Sequence, residues 1–79
     1  MIEIKHKETG QVLLQWDADE LAGQKLDGKE LSGADFTGMD LRGTTFHYAF
    51  LNDADFQGAN LTGTFFRAAN LNRANFQGC

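Results

Sequence analysis

The stretch Ala34-Asp35-Phe36-Thr37-Gly38-Met39-Asp40-Leu41-Arg42-Gly43 holds the rule of this chain in two consecutive copies. Each group of five has a large apolar residue at its centre, a polar residue just before it and glycine two places after it. Working outward in both directions, the centre recurs on every fifth position without a miss. The centres are Leu21, Leu26, Leu31, Phe36, Leu41, Phe46, Leu51, Phe56, Leu61, Phe66, Leu71 and Phe76. A fixed period over most of a chain signals a solenoid, in which each repeat buries its apolar residue only by stacking on its neighbours.

A period of five matches neither an amphipathic helix nor an alternating strand. It fits a polygonal coil in which each pentad forms one side and aims one side chain at the axis. The residues two places before the centre are small enough to share that interior: Ala34, Thr44, Ala49, Ala54, Ala59, Thr64, Ala69 and Ala74, with Met39 the exception. Glycine two places after the centre supplies the backbone angles of a corner. Comparing positions twenty apart gives Leu21/Leu41/Leu61, Leu26/Phe46/Phe66, Leu31/Leu51/Leu71 and Phe36/Phe56/Phe76. Three of these four series are pure in residue type, so the spacing predicts four sides per coil and three coils. Neighbouring coils bond like strands, with a rise of about 4.8 Å.

The pattern A-[D/N]-[L/F]-x-G, as in Ala34-Asp35-Phe36-Thr37-Gly38 and Ala59-Asn60-Leu61-Thr62-Gly63, resembles the pentapeptide-repeat family. The resemblance implies an all-β, right-handed quadrilateral β-helix. Some members of that family resemble double-stranded DNA in shape and charge and bind type II topoisomerases.

Residues 1–16 lie outside the repeat. Ile2 and Ile4 alternate with charged residues, and Val12, Leu14 and Trp16 alternate after Glu8-Thr9-Gly10-Gln11. This predicts a β-hairpin with Gly10 at its left-handed turn position. Its apolar positions are expected on the open end of the first coil, as a cap; a partner-binding ribbon is the competing reading. The domain division is therefore 1–16 as hairpin cap and 17–79 as β-helix, within one compact unit. Asp17 and Glu20 have capping-box spacing, which suggests one helical turn before Gly23.

The chain has 79 residues, a net charge of −4, no proline and one cysteine. No apolar run suits a signal peptide or a membrane span. A single cysteine, Cys79, excludes an internal disulfide and points to a reducing cytoplasm. No catalytic constellation, metal cluster or cofactor motif is legible, so neither enzyme activity nor a cofactor is expected. Acidic residues crowd the first half and none follows Asp55, while Arg67 and Arg73 make the last coil positive. DNA mimicry needs a long acidic rod, so this short chain with a positive end fits that role poorly, and nucleic acid is not an expected partner.

Two surfaces stand out. Phe50 and Phe65 occupy outward positions that elsewhere hold polar residues, and Tyr48 replaces a corner glycine. With His47 and Arg67 they compose a candidate protein-binding patch, unless they merely close over a widened corner. The second surface is the end of the last coil. Nothing after Cys79 covers Leu61, Phe66, Leu71 and Phe76, so this end, with Gln77 and Cys79, is a candidate for self-association as a homodimer. The expected structural core is Leu21, Leu26, Leu31, Phe36, Leu41, Phe46, Leu51 and Phe56. The reading is a scaffold that presents a rigid surface to a protein partner. The alternatives are a topoisomerase-directed DNA mimic and a minimal solenoid with no role beyond folding.

Overall fold

The computed structural model describes all of residues 1–79 and contains no helix. Its two extended strands are β1 (Ile2–Lys5) and β2 (Val12–Trp16), paired antiparallel. The remainder is short bridged segments and turns on the five-residue period.

Those segments lie in three tiers, residues 21–40, 41–60 and 61–79. Parallel bridges join Lys25 to Thr45, Glu30 to Phe50, Asp35 to Asp55 and Asp40 to Asn60, and then Thr45 to Phe65, Phe50 to Asn70 and Asp55 to Asn75. Every bridge spans the twenty residues that the series of centres singled out. The hydrogen bonds follow one rule. A central residue donates its N–H to the carbonyl nineteen positions on, as in Leu26 to Thr45 (2.7 Å), Leu31 to Phe50 (2.7 Å) and Phe46 to Phe65 (2.8 Å). The corner residue two places on does the same, as in Gly38 to Gln57 and Gly58 to Gln77. The residue before the centre donates in the opposite sense, as in Asp55 to the carbonyl of Ala34. Of 44 backbone hydrogen bonds, 39 lie outside β1 and β2, so the repeat tract, not the hairpin, carries the backbone bonding.

The interior is filled by the centres. Leu26, Phe36, Leu41, Phe46, Leu51 and Phe56 are wholly buried, Leu31 and Leu21 nearly so. These eight belong to one buried cluster with Ile4 and four alanines. The phenylalanines form two columns. Phe36, Phe56 and Phe76 stack at 5.0 and 5.1 Å, Phe46 and Phe66 at 5.3 Å, and the columns meet edge to face at 5.6–6.2 Å. Offset stacks and edge contacts are the preferred ring arrangements, each worth about 0.5–1.5 kcal/mol beyond burial. Thr44, the one buried polar side chain, is satisfied, because its hydroxyl donates to the Leu21 carbonyl at 2.7 Å.

The hairpin lies on the first tier. Ile4 is fully buried, and Ile2, Leu13, Leu14 and Trp16 pack against the core. Its edge joins the tier directly: Asp35 N–H donates to the Lys5 carbonyl and Lys7 N–H to the Gly33 carbonyl, both at 2.9 Å. Gly10 turns the hairpin at φ 75°. Gly33 has a different constraint, since a side chain there would run into the His6 ring.

Two details depart from the sequence reading. Val12 is exposed, and Leu13 takes its place against the core. The cause is a register shift: Ile4 pairs with Leu14 but Lys5 with Val12, so Leu13 is the extra residue of a bulge and the alternation flips there. The helical turn expected from Asp17 to Glu20 does not form. The segment bends, with Ala18 N–H donating to the Trp16 carbonyl. Its backbone must connect β2 to the first tier within a few residues, which leaves no room for a turn of helix.

Candidate functional site

In half of the pentads the polar residue before the centre has a structural task. The N–H one place after the centre has no partner in the ladder, and the preceding side chain accepts it. Asp35 does so for Thr37 (3.0 Å), Asp40 for Arg42 (3.2 Å), Asp55 for Gln57 (3.0 Å), Asn60 for Thr62 (3.1 Å) and Asn75 for Gln77 (2.9 Å). These are Asx turns, in which a short carboxylate or amide reaches the backbone two residues on. Asp35, Asp40 and Asp55 are thereby accounted for as turn acceptors.

Phe50 and Phe65 abandon that task. Neither can accept, and the N–H groups of Asn52 and Arg67, which correspond to those that Asp or Asn engages in the pentads above, donate to nothing within the chain. Both rings face outward, 43% and 56% exposed. Here the sequence gives up a turn hydrogen bond for exposed aromatic surface.

The adjoining corners are also unusual. Tyr48, Asp53, Ala68 and Arg73 adopt φ of 57–62°, where every other repeat corner is glycine. A side chain in that left-handed region costs roughly 1–2 kcal/mol. All four lie on two neighbouring corners, in the middle and last tiers, and flank the face that carries Phe50. Asp53 and Arg73 offset part of the cost with a two-pronged ion pair at 2.8 and 3.0 Å. The Arg73 guanidinium holds the Asp53 carboxyl below the ordinary carboxylate range, as Arg42 does for Asp40.

Of the five residues singled out for this patch, two are in ring contact. His47 and Phe65 meet edge to face at 6.0 Å. His47 N–H donates to Asp27 at 2.9 Å, while its buried Nε2 has no partner within the chain. Tyr48, 61% exposed, makes no aromatic contact, and neither does Phe50. Arg67 is exposed, and its carbonyl accepts from Tyr48 N–H. The residues thus share a region of surface without forming one packed cluster.

At the end of the last tier, Leu61, Phe66 and Leu71 are half-buried, and Phe76 is 39% exposed. The N–H groups of these four centres, and of the corner residues Gly63, Ala68, Arg73 and Gly78, donate to nothing within the chain. Gln77 and Cys79 are exposed beside them. The Cys79 thiol donates to the Phe56 carbonyl, a place that Thr64 fills three sides earlier by donating to the Leu41 carbonyl. Sequence reading placed Cys79 at the self-association end and missed that it continues the lattice; the signal was its position two before a would-be centre, where Thr44 and Thr64 also fall.

A cleft of about 270 Å³ opens where the hairpin meets the first tier, lined by Ile2, Asp19, Glu20, Leu21, Met39 and Asp40. It coincides with a gap in the ladder, since Leu21 N–H does not reach the Asp40 carbonyl. No three His, Cys, Asp or Glu side chains gather where a metal could be held. No helix is long and apolar enough to cross a membrane.

Neither a curated protein nor a solved structure matches the chain. A family model described as pentapeptide repeats matches residues 25–58 and 49–79, with 8 copies. Those stretches cover more than half of the sequence and follow the bridged tiers, and the chain belongs to the pentapeptide-repeat family.

Proposed function

We propose that this protein is a non-catalytic, cytoplasmic scaffold. Each tier is one coil of a right-handed, four-sided β-helix, three coils in all, formed by residues 17–79 and capped by residues 1–16. It presents rigid surfaces to protein partners, one of which is a second copy of itself. The observation that carries this reading is the last tier. The middle tier buries its centres completely, whereas the last leaves Leu61, Phe66, Leu71 and Phe76 partly open beneath unbonded N–H groups. Exposed edges over apolar surface recruit another chain.

With the hairpin seated on the first tier, two last tiers meet face to face, an isologous contact that closes as a dimer. One such face, about twenty residues a side, is at the small end of stable interfaces, so affinity is expected near the micromolar range. Sedimentation equilibrium tests this. A dimer is expected that persists in Cys79→Ser and weakens in Gln77→Arg, which sets a charge against its symmetry mate. A strict monomer at millimolar concentration would overturn self-association and leave a minimal solenoid. The region of His47, Tyr48, Phe50, Phe65 and Arg67 is the second surface. It suits a heterologous protein partner, because its aromatics replace residues the fold would otherwise use.

A further inference from the structure

The two ends of the repeat tract are complementary in hydrogen bonding. At the last tier, the centres and corners hold N–H groups with no acceptor. At the first tier, the carbonyls of Lys25, Asp27, Glu30, Ser32, Asp35 and Thr37 receive no donor within the chain. These are the two halves of one rule. Continuing the donation of each centre to the carbonyl nineteen positions on, and stepping back sixty residues along the twenty-residue lattice, brings Phe66 to Lys25, Leu71 to Glu30 and Phe76 to Asp35 of a second copy. The corner N–H two residues on then meets the carbonyl two residues on in each case. A face-to-face contact between two last tiers does not continue this lattice, although its edge also offers the carbonyls of Thr64, Ala69 and Ala74, which receive no donor within the chain.

Charge points the same way. Residues 17–40 carry seven acids against Lys25 and Lys29, while residues 61–79 carry Arg67 and Arg73 and no acid. Last tier on first tier joins opposite signs, and Arg67 comes into line with Asp27 of the second copy; last tier on last tier joins like signs. The hairpin occupies the first-tier side of this contact. The Lys5 carbonyl accepts from Asp35 N–H at 2.9 Å, as the Ala34 carbonyl accepts from Asp55 N–H at 2.9 Å. One strand of the hairpin thus stands in for a tier above the first, and Ile4 closes the core beneath it.

We propose that the end of the last tier is a socket for the first-tier rim of a second copy, and that the N-terminal hairpin is the lid that keeps this head-to-tail contact closed. This rests on the reading of the last tier as an interface and names a second way of filling it. Lifting the lid converts a closed dimer into an open chain of copies, since a heterologous contact repeats without closing.

The test is a disulfide trap in the full-length chain. Arg67→Cys and Asp27→Cys are combined in a Cys79→Ser background. Within one chain these positions are two tiers apart, about 9.6 Å at strand spacing, beyond the reach of a disulfide. Head-to-tail contact instead makes them adjacent between copies. The expected result is a non-reducing ladder of dimer, trimer and longer species joined from position 67 to position 27. It should form slowly with the hairpin intact and several-fold faster with Ile4→Glu, whose charge cannot stay in the core. Added salt should slow it, because opposite charges draw the ends together. No such ladder in either background overturns the proposal. If Ile4→Glu fails to fold, the hairpin-intact chain decides alone: a prolonged incubation at millimolar concentration that yields no 67-to-27 crosslink is fatal. A dimer in the ultracentrifuge without that crosslink defeats the lid and spares self-association, whereas a monomer without it defeats both.

Discussion

The middle and last tiers carry the same four centres, Leu, Phe, Leu and Phe, and set them beside different neighbours. Leu41, Phe46, Leu51 and Phe56 have a tier on each side and are wholly buried. Leu61, Phe66, Leu71 and Phe76 occupy the same four places with a tier on one side only, and each is partly open. The same centre residues therefore give core in one place and candidate interface in the other. In a solenoid, a residue's role is set by its neighbours along the stack and not by its own pentad.

The largest effect that can break this comparison comes from a charge at equivalent centres. Leu51→Asp places an unpaired carboxylate in a fully enclosed site and is expected to unfold the domain, a loss beyond about 4 kcal/mol. Leu71→Asp, one tier down, can turn its carboxylate to water and should leave a folded chain with a modestly lower Tm. Gln57→Asp, exposed on the outer side, should be close to neutral. Thermal melts followed by circular dichroism rank the three. Equal loss in Leu51→Asp and Leu71→Asp would mean that the last tier is as enclosed as the middle one.

Corners sharpen the comparison at the next scale. Gly58 sits at φ 71° with nothing near where a side chain would lie, so Gly58→Ala tests backbone strain alone. The expected cost is about 1–2 kcal/mol. Ala68→Gly is the reverse experiment at φ 57°. Its gain should be smaller, because glycine also loosens the unfolded chain. A destabilised Ala68→Gly would show that the alanine methyl makes a contact worth more than the strain.

How much of this was legible beforehand follows from the same distinction. The centres, the twenty-residue pairing and the buried core could be read from Leu21 to Phe76 because each depends on a repeated local choice that stacking reinforces. The flipped alternation at Leu13 could not, since a bulge changes register without changing composition. Nor could the fate of Asp17–Glu20, whose capping-box spacing lost to the geometry of joining β2 to the first tier. At the candidate site, Phe50 and Phe65 were visible as rule-breakers. Acids such as Asp35 and Asp55 were legible as caps on local turns, but not which N–H each accepts, so the bond that Phe50 and Phe65 forgo was hidden. That Tyr48, Asp53, Ala68 and Arg73 keep the corner conformation of the glycines they replace was likewise hidden, since the tiers above and below hold the angle.

Phe50→Asn is the next variant in size. It supplies the acceptor that Asn52 N–H lacks and removes an exposed ring, so it should hold or raise stability, by about 0.5–1.5 kcal/mol at most. Chemical denaturation measures it. A clear loss would mean that Phe50 packs as part of the fold and is not surface held for a partner.

The smallest expected effect separates the two ion pairs from the core. Asp40 faces Arg42 and Asp53 faces Arg73, and in both the guanidinium holds the carboxyl below its ordinary range. A carboxyl whose folded pKa is depressed contributes stability that is fully present above its unfolded pKa, about 3.9, and is lost as pH falls through the lower folded value. Stability should therefore be level near neutrality and decline only below about pH 4. The decline should be slight, because both pairs are solvent-exposed and screened. Asp53→Asn keeps an oxygen near Arg73 but removes the titrating group. It should flatten its share of the acid limb while changing little at pH 7, and added salt should shrink the wild-type limb in the same way. Asp53 joins the middle tier to Arg73 in the last, whereas Asp40 and Arg42 pair two positions apart along the chain. Asp53→Asn should accordingly loosen the last tier first, read as faster amide exchange at Asp53 and Ala74, whose N–H groups donate to Asn72 and Leu71. Uniform loosening, with the first tier affected as strongly, would show that the tiers open together and that the last is no weaker than the rest.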